Sequence, residues 1–440
     1  MVEVKRTVSP SSFGLLPRVT CPHCWEIFPP DEILWTSEHS DLLGDPRLGP
    51  EQQQRFRPTR FNVAGDALDA KGFACHHLAC PHCHLPVPHS MLEMEPLFVS
   101  IIGAPACGKS YFLATMTWKL RKVLASQFAA SFSDLDTVSN RSLNEYEDLL
   151  FLNSEKDKLV AIRKTELQGE LYDTVGYGQQ TVSYPRPFLF ALQALDRHPN
   201  YAANRRLARA LCLYDNAGEH FLPGQDTTSS PVTRHLAQSS FLLFLFDPTQ
   251  DPRFRSRCKH RVDEPQLAAH TRTSRQEAIL LELAARVRRY TGLRQDAKHN
   301  RPLIVVLTKY DVWSHMLEPS DFHDPWRAAK DGSLAGIEVE KVEQQSHRAR
   351  SLMLQLCPEI VAAAEGFVQT VIYVPVSALG RSPEPDPKTG LLGIRPRDIR
   401  PVWVSVPFLY SLSRWMPGLI PTLRRKPKSA AGGPQAGGAA

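Results

Sequence analysis

The stretch "LFVSIIGAPACGKSYFLATMT", residues 97–117, constrains this chain more than any other. An apolar run ends at Gly103, and Gly108, Lys109 and Ser110 complete a Gly-x-x-x-x-Gly-Lys-Ser pattern. The run reads as a buried strand and the residues from Lys109 onward as a helix, so the glycines fall in the turn between them. Glycine lets backbone N–H groups curl around an anion with no Cβ in the way. The helix that follows aims its unpaired N–H groups and its dipole at the same point. Lys109 supplies positive charge at the β- and γ-phosphates, and Ser110 offers a hydroxyl to Mg2+. Gly103, Ala104, Pro105, Ala106, Cys107, Gly108, Lys109, Ser110 and Tyr111 are therefore expected to hold a nucleoside triphosphate.

Around this loop the 440-residue chain alternates apolar runs with helix-like segments. "PLFVSIIG", "PFLFALQAL", "RALCLYD", "SFLLFLFD", "PLIVVLTK" and "TVIYVPVS" read as strands. Helices are expected over "KSYFLATMTWKLRKVLASQF", "TSRQEAILLELAARVRRY" and "EKVEQQSHRARSLMLQLC". In the second of these, Ile279, Leu280, Leu283 and Val287 share one face. This alternation predicts an α/β fold of the P-loop NTPase kind over residues 95–422, with a mostly parallel sheet flanked by helices. Residues 1–94 read as a small N-terminal module, within which "SDLLGDPRLGPEQQQRFRPTR" lacks an apolar period and is expected to loop out. Residues 423–440 are basic, then rich in Gly, Ala and Pro, and read as a disordered tail.

The N-terminal module carries two matching knuckles, "TCPHCWEIFPP" and "ACPHCHLPVP". Cys21, Cys24, Cys80 and Cys83 would supply four thiolates to a tetrahedral Zn2+ site. Cys75, His76 or His77 could replace one ligand. Four protein ligands leave no open position, so the zinc would be structural. The nine cysteines are odd in number and include paired Cys-x-x-Cys spacings, which favours a metal site in a reducing compartment over a disulfide frame.

Three later segments lie at the ends of expected strands. "LCLYDNAGEHF" puts Asp215 where a carboxylate can hold the magnesium shell, with the Gly218 N–H within reach of the γ-phosphate. "LIVVLTKYDVW" ends in Thr308, Lys309, Tyr310 and Asp311, and "VIYVPVSALG" brings Ser377 and Ala378. Asp311 selects the base. A carboxylate accepts from the N1–H and N2 amino edge of guanine, whereas adenine presents a lone pair there, a buried mismatch of roughly 1–3 kcal/mol. Lys309 can lay its stem over the base, and the Ala378 N–H can donate to guanine O6.

The ordered set "GAPACGKS", "DNAG", "TKYD", "SA" resembles the Ras-like, translation-factor-related class of P-loop GTPases. With the cysteine knuckles ahead of it, the layout is most similar to a bacterial double-GTPase type with an N-terminal zinc ribbon. The resemblance implies GTP and GDP as ligands, Mg2+ and Zn2+ as cofactors, and a switch that works through a protein partner, a second GTPase among the candidates. It implies a magnesium-binding threonine ahead of the second strand: Thr181, with Thr174 as a rival. Two positions depart from the class. Thr308 stands where asparagine is usual, and its hydroxyl can still tie neighbouring loops together. Glu219 stands where Ras-like members often carry glutamine and translation factors histidine; His220 comes one residue late. A carboxylate beside a triphosphate is repelled, so slow intrinsic hydrolysis, or dependence on a group supplied by a partner, is expected, with a scaffold that binds without turnover as the alternative.

The formal net charge of +6 gathers in residues 253–275 and 424–428 rather than along the whole chain, and no basic–aromatic pattern surrounds the knuckles. Nucleic acid is not an expected partner. "VWVSVPFLYSLSRWMPGLI" followed by "RRKPK" has the ingredients of a membrane-surface segment, although a packed last helix fits it better. The start of the chain lacks the apolar core of an export signal, and a cytoplasmic location is expected.

Overall fold

The computed structural model describes residues 14–162, 172–215, 234–259, 264–268, 275–317, 322–328, 334–387, 390 and 392–423. Its centre is a seven-stranded sheet. In chain order the strands are β1 (Glu95–Gly103), β2 (Ala130–Asp134), β3 (Phe188–Ala194), β4 (Arg209–Asp215), β5 (Phe241–Phe246), β6 (Leu303–Leu307) and β7 (Val371–Pro375). Their order across the sheet is β2-β3-β4-β1-β5-β6-β7. From β4 to β7 every pairing is parallel, while β3 runs antiparallel to both β2 and β4. β5 and β6 are buried along their whole lengths, which is why they read as unbroken apolar runs.

The helices that matter for position are α1 (Lys109–Gln127), α2 (Gln276–Thr291), α3 (Val339–Leu356) and α4 (Val406–Trp415). In α2, Ile279, Leu280, Leu283 and Val287 all turn inward, and Gly292 closes the helix with φ +65°. In α4, Phe408, Leu409, Tyr410 and Leu412 are buried, so its apolar residues serve the core and are not offered to a membrane surface. The "RRKPK" that follows lies outside the described residues. Among the described residues no helix is long and apolar enough to cross a membrane.

The two faces of β3 and β4 are covered differently. Side chains of a strand alternate between faces. Leu211 and Leu213 of β4, with Phe188, Phe190 and Leu192 of β3, join the main core with α1. Ala210, Cys212 and Tyr214, with Leu189 and Ala191, face a second cluster made by the N-terminal residues, including Val19, Trp25, Phe28, Leu85 and Val87. A hairpin, Tyr172–Tyr177 paired with Gln180–Pro185, adds Val175 and Tyr184 to that cluster. The cysteine-bearing residues thus pack on the sheet where an α/β fold usually lays a helix.

The polar stretch 40–60, expected to be loop, contains a hairpin of Leu43–Asp45 with Gly49–Gln53 and a strand at Arg55–Phe56. Its turn comes from side-chain chemistry rather than hydrophobic period. The Asp45 carboxylate accepts from the Arg47 and Leu48 N–H groups at 2.8 and 2.9 Å, and Gly44 and Gly49 take φ +97° and +109°. Arg55–Phe56 and Leu78–Ala79 both pair with Leu34–Thr36, which ties the stretch to the second knuckle.

Candidate nucleotide site and four-cysteine centre

The glycine loop forms at the carboxyl end of β1, between β4 and β5. Gly103 admits no side chain: a Cβ there would lie 2.7 Å from Cys107 Sγ and 2.8 Å from the Leu245 carbonyl oxygen. Gly108 has φ +91°, a conformation that glycine takes without strain, and α1 begins at the next residue. Lys109 is 93% buried in consequence of folding back over the loop, since it is 7% exposed and its Nζ donates to the Gly103 and Ala104 carbonyls at 3.1 Å each. The loop therefore closes around one ammonium group. The Cys107 thiol is buried, and burial pushes its pKa up, so it acts as packing. Tyr111 turns away: its hydroxyl accepts from the Ile162 N–H at 3.1 Å.

Asp215 closes β4, in register with Ile101 of β1, and is 7% exposed. Thr308 follows β6; its N–H and hydroxyl both donate to the Phe246 carbonyl at the end of β5, at 2.9 and 3.2 Å. Lys309 takes φ +53° and begins the short helix Tyr310–Trp313. Asp311 accepts from the buried Ser377 hydroxyl, which in turn accepts from the Gly380 N–H at 2.7 Å. Burial raises the Asp311 pKa, and the Ser377 hydrogen bond opposes that rise. Ala378 follows Ser377 just beyond β7. Asp215 at the end of β4 and the loops after β1, β6 and β7 thus share one edge of the sheet, where an α/β fold gathers ligand-binding groups.

Two residues of this edge were not singled out from sequence. Asp247, fully buried at the end of β5, accepts from Lys309 Nζ at 2.7 Å and from the Thr249 N–H at 2.9 Å. Gln250 donates to the same carboxylate at 3.2 Å and to the Pro105 carbonyl of the glycine loop at 3.0 Å. Together they join the loop of Lys309 to the glycine loop. The signal in the sequence is Asp-Pro-Thr-Gln directly after an apolar strand, a helix-start pattern.

Thr181 lies exposed on the second strand of the hairpin, opposite Gly176, and Thr174 is exposed on the first. Gly218, Glu219 and His220 lie outside the described residues.

The cysteine centre is built from two equivalent turns. Trp25 N–H donates to the Cys21 carbonyl and His84 N–H to the Cys80 carbonyl, at 3.1 and 3.0 Å. Trp25 and His84, one residue past each knuckle, take φ +60° and +62°. The His23 and His82 N–H groups point at Cys21 Sγ and Cys80 Sγ, at 3.3 and 3.4 Å. All four sulfurs lie within 4.8 Å of one another, with Cys21–Cys83 and Cys24–Cys80 at 3.7 Å. A tetrahedron with metal–sulfur arms of about 2.3 Å has edges of about 3.8 Å, so the spacing fits a four-thiolate metal site. Burial, together with the neighbouring Cys24, Cys80 and Cys83 sulfurs, pushes the Cys21 thiol well up, which makes a cation the natural means of holding four thiolates here. Cys75 is not in this group, and the His76 and His77 side chains are 63% and 77% exposed.

No family model matches the chain. A curated protein of Mycolicibacterium smegmatis, SaeC, a proposed ESX-1 scaffolding and assembly protein, is 23% identical over 250 residues, covering 52% of this chain and 57% of that protein. Among solved structures, Sup35 complexed with GDP gives a TM-score of 0.23 at 13% identity, covering 65% of this chain and 38% of that one. An Era variant of Aquifex aeolicus bound to GDP and AlF4− also gives 0.23 at 13% identity, covering 68% and 62%. The chain spans less than two thirds of each of these relatives.

Proposed function

We propose that this chain is a GTP-binding and GTP-hydrolysing switch with a structural zinc centre, acting through a protein partner in a bacterial multi-protein system. The observation that carries the reading is the shared edge of Gly103–Ser110, Thr308–Asp311 and Ser377, on loops that follow parallel strands, with Asp215 at the end of β4. In this reading residues 95–422 are the nucleotide-binding domain and residues 1–94 the zinc module. The loop N–H groups and Lys109 hold the β- and γ-phosphates, Ser110, Asp215 and Thr181 serve Mg2+, and Asp311 and the Ala378 N–H read guanine. Lys309 lies over the base, steadied by Asp247. Zinc, on Cys21, Cys24, Cys80 and Cys83, supplies a cross-link that fixes both knuckles. Loops that meet the γ-phosphate order with GTP and relax after hydrolysis, which is the output a partner reads. The partner system is suggested by the assembly role in the name of SaeC.

That same name favours a second reading, a scaffold that binds nucleotide without turning it over. Glu219 distinguishes the two. Its carboxylate can only accept hydrogen bonds from water, whereas an amide both donates and accepts. Glu219→Gln is expected to keep GTP affinity and speed single-turnover phosphate release in the presence of Mg2+. Abolished release in this variant would mean that Glu219 itself positions the water. If wild-type protein binds ATP as tightly as GTP in a competition titration, the guanine reading fails.

A further inference from the structure

We infer that Trp25 and Tyr214 are positioning residues through which the four-cysteine centre holds Asp215 in place for magnesium. The inference rests on the nucleotide reading above and goes one step beyond it: the two halves of the molecule act as one site.

Tyr214 is the residue immediately before Asp215 on β4, and it is fully buried. Because side chains alternate along a strand, Tyr214 points to the cysteine side while Asp215 points to the α1 side. The Tyr214 hydroxyl is held twice by the first knuckle. It donates to the Pro22 carbonyl at 2.5 Å and accepts from Trp25 Nε1 at 3.0 Å. Pro22 and Trp25 bracket Cys24 and adjoin Cys21, two of the four sulfur donors. The ring of Tyr214 stacks on His235 at 4.5 Å, with 14° between the planes. His235 Nδ1 is in turn 2.5 Å from Ser100 Oγ on β1, the strand that leads into the glycine loop. The knuckle therefore reaches the strand of Asp215 directly and the strand of the glycine loop through one ring.

The same knuckle also meets the hairpin. His23, 3% exposed, has Nδ1 3.9 Å from Asp173, and Asp173 pairs with Arg186 at 2.5 Å. Trp25 packs edge-on against Tyr184 at 5.9 Å. One rigid turn thus touches β4, the hairpin that carries Thr181, and the metal ligands. With metal bound the turn is fixed by two sulfur bonds. Without metal the Pro22 and Trp25 partners lose that anchor, and the Tyr214 hydroxyl loses its fixed reference. A shift of β4 by a fraction of an ångström moves Asp215, and loss of the hydroxyl contacts alone leaves the Tyr214–His235 stack that reaches β1 and the glycine loop.

The test uses full-length protein, zinc analysis and a fluorescent GDP analogue titrated with Mg2+. Tyr214→Phe removes the bridging hydroxyl and keeps the stacked ring. The expected result is one zinc per chain, unchanged analogue affinity in the absence of Mg2+, and a Mg2+ midpoint raised roughly threefold to tenfold, the scale of one lost buried hydrogen bond. Trp25→Phe is expected to shift the midpoint in the same direction. In an Asp215→Asn background the same Tyr214→Phe change should move the midpoint no further. Stripping zinc from wild type with a thiol-reactive mercurial and a chelator should reproduce the shift. An unchanged Mg2+ midpoint in Tyr214→Phe with nucleotide bound overturns the inference and leaves the nucleotide reading standing. So does an equal loss of affinity with and without Mg2+, the mark of a merely structural role. If wild type shows no Mg2+-dependent binding of the GDP analogue, it is the nucleotide reading that fails.

Discussion

At the scale of single residues, the proposed guanine reading puts specificity on Asp311 and Asp247. The Asp311 carboxylate is held by Ser377 in a setting that raises its pKa. As pH falls through that raised value, Asp311 takes up a proton and, in the proposed reading, would stop accepting from guanine. GTP affinity is therefore expected to decline at a higher pH than an ordinary surface aspartate would give, which a binding titration across pH can follow. Asp311→Asn is expected to weaken GTP and admit xanthosine triphosphate, whose 2-oxo group suits an amide donor; competition between the two nucleotides measures the switch. Asp247 is a different kind of residue, because its partner is Lys309 rather than the ligand. Asp247→Asn keeps the shape and removes the charge. It should raise the dissociation constant for GTP about tenfold or more, the cost of about 1.5–3 kcal/mol for a charged hydrogen bond.

At the scale of elements, the glycine loop is the most tightly specified part. Gly103 faces Cys107 Sγ and the Leu245 carbonyl at under 3 Å from an added Cβ, so Gly103→Ala must push the loop away from β5. A loss of about 1–3 kcal/mol of stability, the usual cost of overpacking, and weaker triphosphate binding are expected from calorimetry and titration. The loop, α1, β5, β6 and α2 were legible in sequence because each carries its own period or cap. β2 and the hairpin Tyr172–Pro185 were not. Ala130–Asp134 is a short edge strand of mixed composition, and it is extended only because β3 offers it a partner. The antiparallel direction of β3 was equally hidden, since the apolar run of "PFLFALQAL" fits either sense.

At the scale of the whole molecule, the N-terminal residues complete the second core. Trp25, Phe28, Leu85 and Val87 cover Ala210, Cys212 and Tyr214. Zinc-dependent folding of small modules is worth on the order of 10 kcal/mol. Cys21→Ser/Cys80→Ser is expected to empty the site by metal analysis, expose residues 1–94 to protease and lower the melting temperature of residues 95–422 too. An independent appendage would leave that last value unchanged. The sequence by itself determined the chemistry that depends on short spacing: Gly-x-x-x-x-Gly-Lys-Ser, the two Cys-x-x-Cys knuckles, and the apolar runs of the parallel strands. Such patterns are local, because backbone turns and metal geometry fix distances over a few residues. Only the tertiary structure decided that the Cys75 thiol stays out of the four-sulfur group, that Asp247 holds Lys309, and that Tyr214 joins the cysteine centre to the strand of Asp215. Those contacts join residues tens to nearly two hundred positions apart, and no local period records which buried face will meet which.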